Sequence, residues 1–373
     1  MKKAISCLLA LLALLLPAVS RADGGENGTS GVWTVRSETG EVLCRLAGEA
    51  HVGDEYISGG NRRYEILSAD AAAHTAVARD RGAQEMPDVS WLAEETAVVV
   101  SNTGEKDLLV AMYATHSDES YEPTDGTASD EKGEGGIYDV SEALKEALEA
   151  RGVRVILDET PHVPHDSSAY KRSRQTAIAL LKKGPDALLD IHRDGIPDPD
   201  EYETEMQGEE VSRVRLLVGR SNQNAAENKQ FALQLKAVAD QQYPGLIKDI
   251  FIGKGTYNQD LMPNAVLLEF GTHTIDKERA VASTQLMANV LADTLYGDVS
   301  GAAGGGKSQT NAAAGKGVLW LAIAVVVMIA VFAAIVLTKV FVIGNVEVVG
   351  TDRYTGDELL ALIGASNGDS RIP

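Results

Sequence analysis

The chain is 373 residues long and carries 34 basic against 54 acidic side chains, a net charge of −20. At ~100–200 residues per domain, that length allows one main domain and a smaller satellite. The charge excludes a nucleic-acid partner, which needs a clustered basic face, and it disfavours broad adhesion to an anionic surface, so a polymer substrate must be gripped locally in a cleft.

The chain opens on Met1-Lys2-Lys3, an apolar run from Cys7 to Leu16, then Pro17 and the small-residue exit Ser20-Arg21-Ala22. This pattern predicts a secretory signal peptide over residues 1–22 and therefore export. With Cys7 inside the signal, Cys44 stands alone in the mature chain, leaving neither an internal disulfide nor a cysteine metal cluster. From 33 to 81 come short alternating runs: Val42–Leu46, Tyr56-Ile57, Tyr64–Leu67 and Thr75–Ala78. Gly53-Asp54, Gly59-Gly60-Asn61 and Ser68-Ala69-Asp70 divide them, which predicts a small β-rich domain. Its His51 and His74 read as surface residues.

Over 95–297 apolar strands alternate with helical patterns. Strands are expected at Leu108–Tyr113, Val153–Leu157, Ala187–Ile191, Val214–Val218 and Ala265–Phe270, and helices at Ser141–Arg151, Ser168–Lys183, Ala225–Gln242 and Lys277–Leu295. Nearly continuous apolar strands between helices predict an α/β domain, a doubly wound and mostly parallel sheet covered on both faces. In such sheets ligands bind beyond the carboxyl ends of the strands.

A Gly/Ala/Ser-rich linker follows over 298–317, and then the uncharged run Val318–Leu337. At about 1.5 Å per residue this run crosses a ~30 Å hydrocarbon core and predicts a transmembrane helix. The tail at 340–373, with its strand, glycine turn and amphipathic helix, resembles the start of a POTRA/FtsQ-type domain but is too short to bury a core alone. One span after a cleaved signal would also put that tail in the cytoplasm, where such a domain is not expected.

Three strand exits carry the chemistry. They read Tyr113-Ala114-Thr115-His116-Ser117-Asp118-Glu119, Asp190-Ile191-His192-Arg193-Asp194 and Leu268-Glu269-Phe270-Gly271-Thr272. Two imidazoles and a carboxylate around an open position form the ligand set of catalytic zinc hydrolases, and a further carboxylate can serve as the base. Glu269 interrupts an apolar strand, where an unpaired charge would be expensive. Arg193 offers a two-pronged donor for a peptide carboxylate, or else an exposed salt bridge. The acidic loop Asp125–Glu134 reads as a solvated segment.

These stretches resemble the stage II sporulation protein P family. The carriers are THSDESYEP at Thr115–Pro123, LLDIHRDG at Leu188–Gly195, YPGL at Tyr243–Leu246 and YNQDLMPNAVLLEFGTHT at Tyr257–Thr274. HDSSAYKRSRQTA at His165–Ala177 and GDEYISGGNRRYEIL at Gly53–Leu67 are also similar. The resemblance implies a zinc-dependent N-acetylmuramoyl-L-alanine amidase acting on peptidoglycan, also credited with cross-link endopeptidase activity. Its setting would be forespore engulfment, with stage II sporulation proteins D and M as partners, on the extracytoplasmic side of the mother-cell membrane. His116 and His192 match the family's zinc histidines, Glu119 the acidic residue three after the first, and Glu269 the strand-borne catalytic glutamate. The resemblance makes Glu119 the third ligand, with Asp118, Glu122 and, from the broader amidases, Asp139 as the open alternatives. A general wall-remodelling amidase and a catalytically dead peptidoglycan-binding scaffold are the rival readings. Residues 95–297 alone are expected to release stem peptides.

Overall fold

The computed structural model describes residues 31–94 and 108–300. The signal segment, the transmembrane run and the POTRA-like tail lie outside the described residues, as does the linker beyond residue 300. Among the described residues no helix is long and apolar enough to cross a membrane.

One sheet of eleven strands organises the molecule, in the order β2-β1-β5-β4-β3-β12-β11-β13-β8-β6-β7. The first five strands are β1 (Trp33–Ser37), β2 (Val42–Leu46), β3 (Glu55–Ser58), β4 (Arg62–Asp70) and β5 (Thr75–Ala83). Then come β6 (Leu109–Tyr113), β7 (Arg154–Asp158), β8 (Ala187–Asp194), the hairpin β9 (Glu203–Met206) and β10 (Glu209–Ser212), β11 (Val214–Gly219), β12 (Ile247–Gly253) and β13 (Ala265–Thr272). Three long helices connect strands, α1 (Ile137–Ala150), α2 (Ala169–Leu181) and α3 (Ala225–Gln242), and a fourth, α4 (Lys277–Ser300), follows β13.

The α/β class stands, but two features depart from a doubly wound, mostly parallel sheet. β6, β7, β8 and β13 are mutually parallel, whereas β11 runs antiparallel to β13. The β9–β10 hairpin between β8 and β11 reverses the chain, and α3 then returns it parallel, from β11 to β12. The sheet is therefore mixed. The strands expected over 33–81 do form, but they hydrogen-bond into the same sheet, because β3 pairs antiparallel with the edge of β12.

Side-chain alternation divides the core. On one face Val110, Leu189, Ile191, Leu216, Ile250 and Leu268 pack under α1, α3 and α4. On the other, α2 covers Ala111, Leu188 and Ala265. The rest of that second face is roofed by the curled N-terminal strands, whose Trp33, Val35, Cys44 and Leu46 meet Leu217, Phe251 and Leu267. The cover expected from helices on both faces is thus shared there between one helix and five strands. Burial inside this roof raises the Cys44 thiol to about 12.

Candidate metal centre

The second face carries the polar residues. After β6 the chain turns through Ala114–Ser120, all of it buried. Gly135 N donates to Ser117 O at 2.9 Å. A Cβ at Gly135 would lie 2.2 Å from the carbonyl oxygen of Glu119, so only glycine lets the two backbones approach. This packing turns His116 and Glu119 inward, toward the end of β8.

There Glu119 Oε1 lies 3.2 Å from His116 Nδ1 and 3.2 Å from His192 Nδ1, while Oε2 accepts from Arg193 N at 2.8 Å. A ligand atom from each of His116, Glu119 and His192 lies within 4.8 Å of the others. All three side chains are at most 2% exposed. Burial alone would raise the Glu119 carboxyl, but the charges of His192 and Arg193 and the bonds from both imidazoles outweigh it and hold the group well below its usual range. Burial likewise opposes charge on His192, yet Asp190 and Glu119 push that imidazole well above its usual range. The pocket therefore favours positive charge between its imidazoles, which fits a divalent cation held by two nitrogens and one oxygen. Asp190 Oδ1 stands 3.0 Å from His192 Nε2, on the far side of the ring from Glu119. The contact is an ion-pair approach without hydrogen-bond geometry, and His192 Nε2 makes no hydrogen bond among the described residues.

The alternative third ligands point elsewhere. Asp118 Oδ2 accepts from Ser129 Oγ at 2.6 Å and sits 3.1 Å from His165 Nδ1. Glu122 is exposed. Asp139, its side chain 65% exposed, pairs with Lys277 at 2.5 Å.

Arg193 is neither exposed nor paired with a carboxylate as an open salt bridge would be. Its guanidinium donates to the carbonyls of Ser120, Asp194 and Ala128 at 3.3, 3.3 and 3.0 Å, pinning the loop after β6. Within the acidic loop, Asp125 takes Tyr121 N and Lys277, so that end is tied down.

Glu269 stands on β13 in register with His192 on β8, on the same face. It is 1% exposed, with Oε2 at 3.2 Å from the Tyr202 hydroxyl and 3.7 Å from Arg215 Nη1. The cross-strand row continues through Arg215 on β11 to Asp249 on β12, joined by bonds of 2.7 and 3.1 Å.

Several neighbours went unread in the sequence. His165 stacks on His116, centroids 3.9 Å apart, and Tyr170 packs edge-on to it at 5.5 Å. Both lie in the HDSSAYKRSRQTA segment, which carried only a resemblance. Arg215 and Asp249 gave the same signal as Glu269, a charge interrupting an apolar strand.

A family model described as stage II sporulation protein P matches residues 55–292. Stage II sporulation protein P of Bacillus subtilis (strain 168) is 29% identical over 232 residues, covering 57% of this chain and 55% of that protein. The chain thus spans about half the length of this curated relative. Among solved structures, the N-acetylmuramyl-L-alanine amidase Ami1 of Mycobacterium smegmatis aligns at 17% identity and TM-score 0.37, over 51% of this chain and 97% of that one. An N-acetylmuramoyl-L-alanine amidase from Clostridium difficile 630 aligns at 16% identity and TM-score 0.33, over 54% and 100%.

Proposed function

The chain belongs to the stage II sporulation protein P family, and from that premise we propose that it is a zinc-dependent peptidoglycan hydrolase of sporulation, cutting the N-acetylmuramoyl-L-alanine amide. The observation that carries this reading is the buried convergence of His116, Glu119 and His192 beside Glu269.

In this reading the two imidazoles and Glu119 hold the ion, with the Asp190 carboxylate supplying negative charge beside His192. Bound there, zinc supplies Lewis acidity toward a carbonyl and acidifies water. Glu269 takes a proton from the attacking water and hands it to the departing amine. Arg193 and Gly135 keep the ligand loop closed and dry. The wider setting belongs to the same proposal: export, a membrane tether through 318–337, and action in forespore engulfment with stage II sporulation proteins D and M.

The test uses the purified chain on isolated sacculi. It should release stem peptides with new alanine amino ends, contain about one zinc per chain, lose activity to a chelator and regain it with zinc. Full activity in His192→Ala would refute the metal assignment.

A further inference from the structure

Resting on the role given to Glu269, we propose that Tyr202 is a positioning residue for that carboxylate, aiming it at the metal centre from a loop clamped by the N-terminal strands.

Two carboxylates share the Tyr202 hydroxyl. Its one proton is shared in a three-centre bond, the main arm to Asp194 Oδ2 at 2.7 Å and the weaker arm to Glu269 Oε2 at 3.2 Å. Asp194 is held independently, since the same oxygen also accepts from Arg215 Nη1 at 2.7 Å and its other oxygen from Ile196 N at 3.2 Å. Arg215 bonds Asp194 and Asp249 and also pairs with Glu269 Oε2 at 3.7 Å. Beside that cation the tyrosine hydroxyl is a neutral donor, and its contact limits the rotation of the Glu269 carboxylate. Burial keeps the phenol protonated and able to donate.

The tyrosine itself is fixed from three sides. Its carbonyl accepts from Arg213 N at 2.7 Å, and Lys248 Nζ lies 4.3 Å from its ring centroid. The preceding residue, Glu201, takes Arg45 Nη1 at 2.6 Å and Lys248 Nζ at 2.6 Å. Arg45 belongs to β2, and its carbonyl also accepts from Arg215 Nη2 at 3.0 Å. The roof strand thereby braces both groups that flank Glu269.

Tyr202→Phe keeps the ring, its packing and the Lys248 contact, and removes one hydroxyl. In the full chain, with a soluble muropeptide as substrate, kcat should fall about tenfold with KM and bound zinc unchanged. Adding Tyr202→Phe to Glu269→Gln should lower the residual turnover no further, because a group that acts through Glu269 has nothing left to position. Wild-type kcat in Tyr202→Phe, or the same tenfold loss on top of Glu269→Gln, would overturn the proposal while leaving the hydrolase reading intact. Wild-type turnover in Glu269→Gln would sink both.

Discussion

Ile57 on β3 stands opposite Ile250 on β12, and both point into the core under α1, α3 and α4. The adjacent pair, Tyr56 and Phe251, points to the opposite face. One antiparallel rung thus makes the N-terminal strands a continuation of the catalytic sheet, and their curl returns β2 over the charged row that contains Glu269.

A fragment starting at residue 108 should therefore fail to fold by itself. It would bare Leu217, Phe251 and Leu267, each worth ~1.5–3 kcal/mol when buried, together with the open edge of β12. Residues 31–300 should melt cooperatively, and 108–300 should aggregate or show no transition by circular dichroism. A native-like melt of the shorter fragment would contradict this, and would restore the expectation that 95–297 is sufficient.

Gly135→Ala should cost about 2–4 kcal/mol and bound metal with it, since the new methyl meets main-chain atoms of Asp118 and Glu119 that have no side-chain freedom to yield. Gly152→Ala is the control. It has positive φ and open space around it, so only about 1 kcal/mol of backbone strain is expected and zinc content should stay at wild type. Thermal melts and metal analysis separate the two effects.

Arg193→Lys should weaken zinc binding about tenfold without raising KM, because a single ammonium cannot span the Ser120 and Ala128 carbonyls that fix the ligand loop. A raised KM with unchanged metal affinity would instead point to contact with substrate.

Acid should unfold the protein partly through Asp249. Burial works to raise this carboxyl, but Arg215 and then Lys248 hold it below its ordinary 3.8. A depressed folded-state pKa contributes stability above the unfolded value and loses it as pH falls through the folded one, so the decline should begin below about pH 4. Asp249→Asn should be less stable than wild type at pH 7 and should lose less between pH 5 and pH 3 in denaturant titrations. Parallel curves for the two proteins would exclude the contribution.

Much of this was legible in the chain because each signal was local. The runs Leu108–Tyr113 and Ala265–Phe270 announce buried strands, and their ends display His116 and Glu269 without any knowledge of the partner strands. β12 was missed because Lys248 and Asp249 break its apolar pattern, although Asp249 is there to meet Arg215 on the neighbouring strand. The choice of Glu119 over Asp118 came from the family resemblance and not from the physical pattern of the residues. Both sit in one loop, and only the packing of Gly135 and the Ser129 hydroxyl decides which turns inward. The curl of β2 over β11 depends on the rung between Ile57 and Ile250, far apart in sequence.

The Cys44 thiol, sealed between β2 and the row below it, also serves as a built-in reporter. At neutral pH it is protonated and shielded, so an alkylating reagent can capture it only during moments when the Val42–Leu46 segment lifts away. The rate of that capture would time the breathing of the strand that braces Tyr202, with no probe added to the molecule.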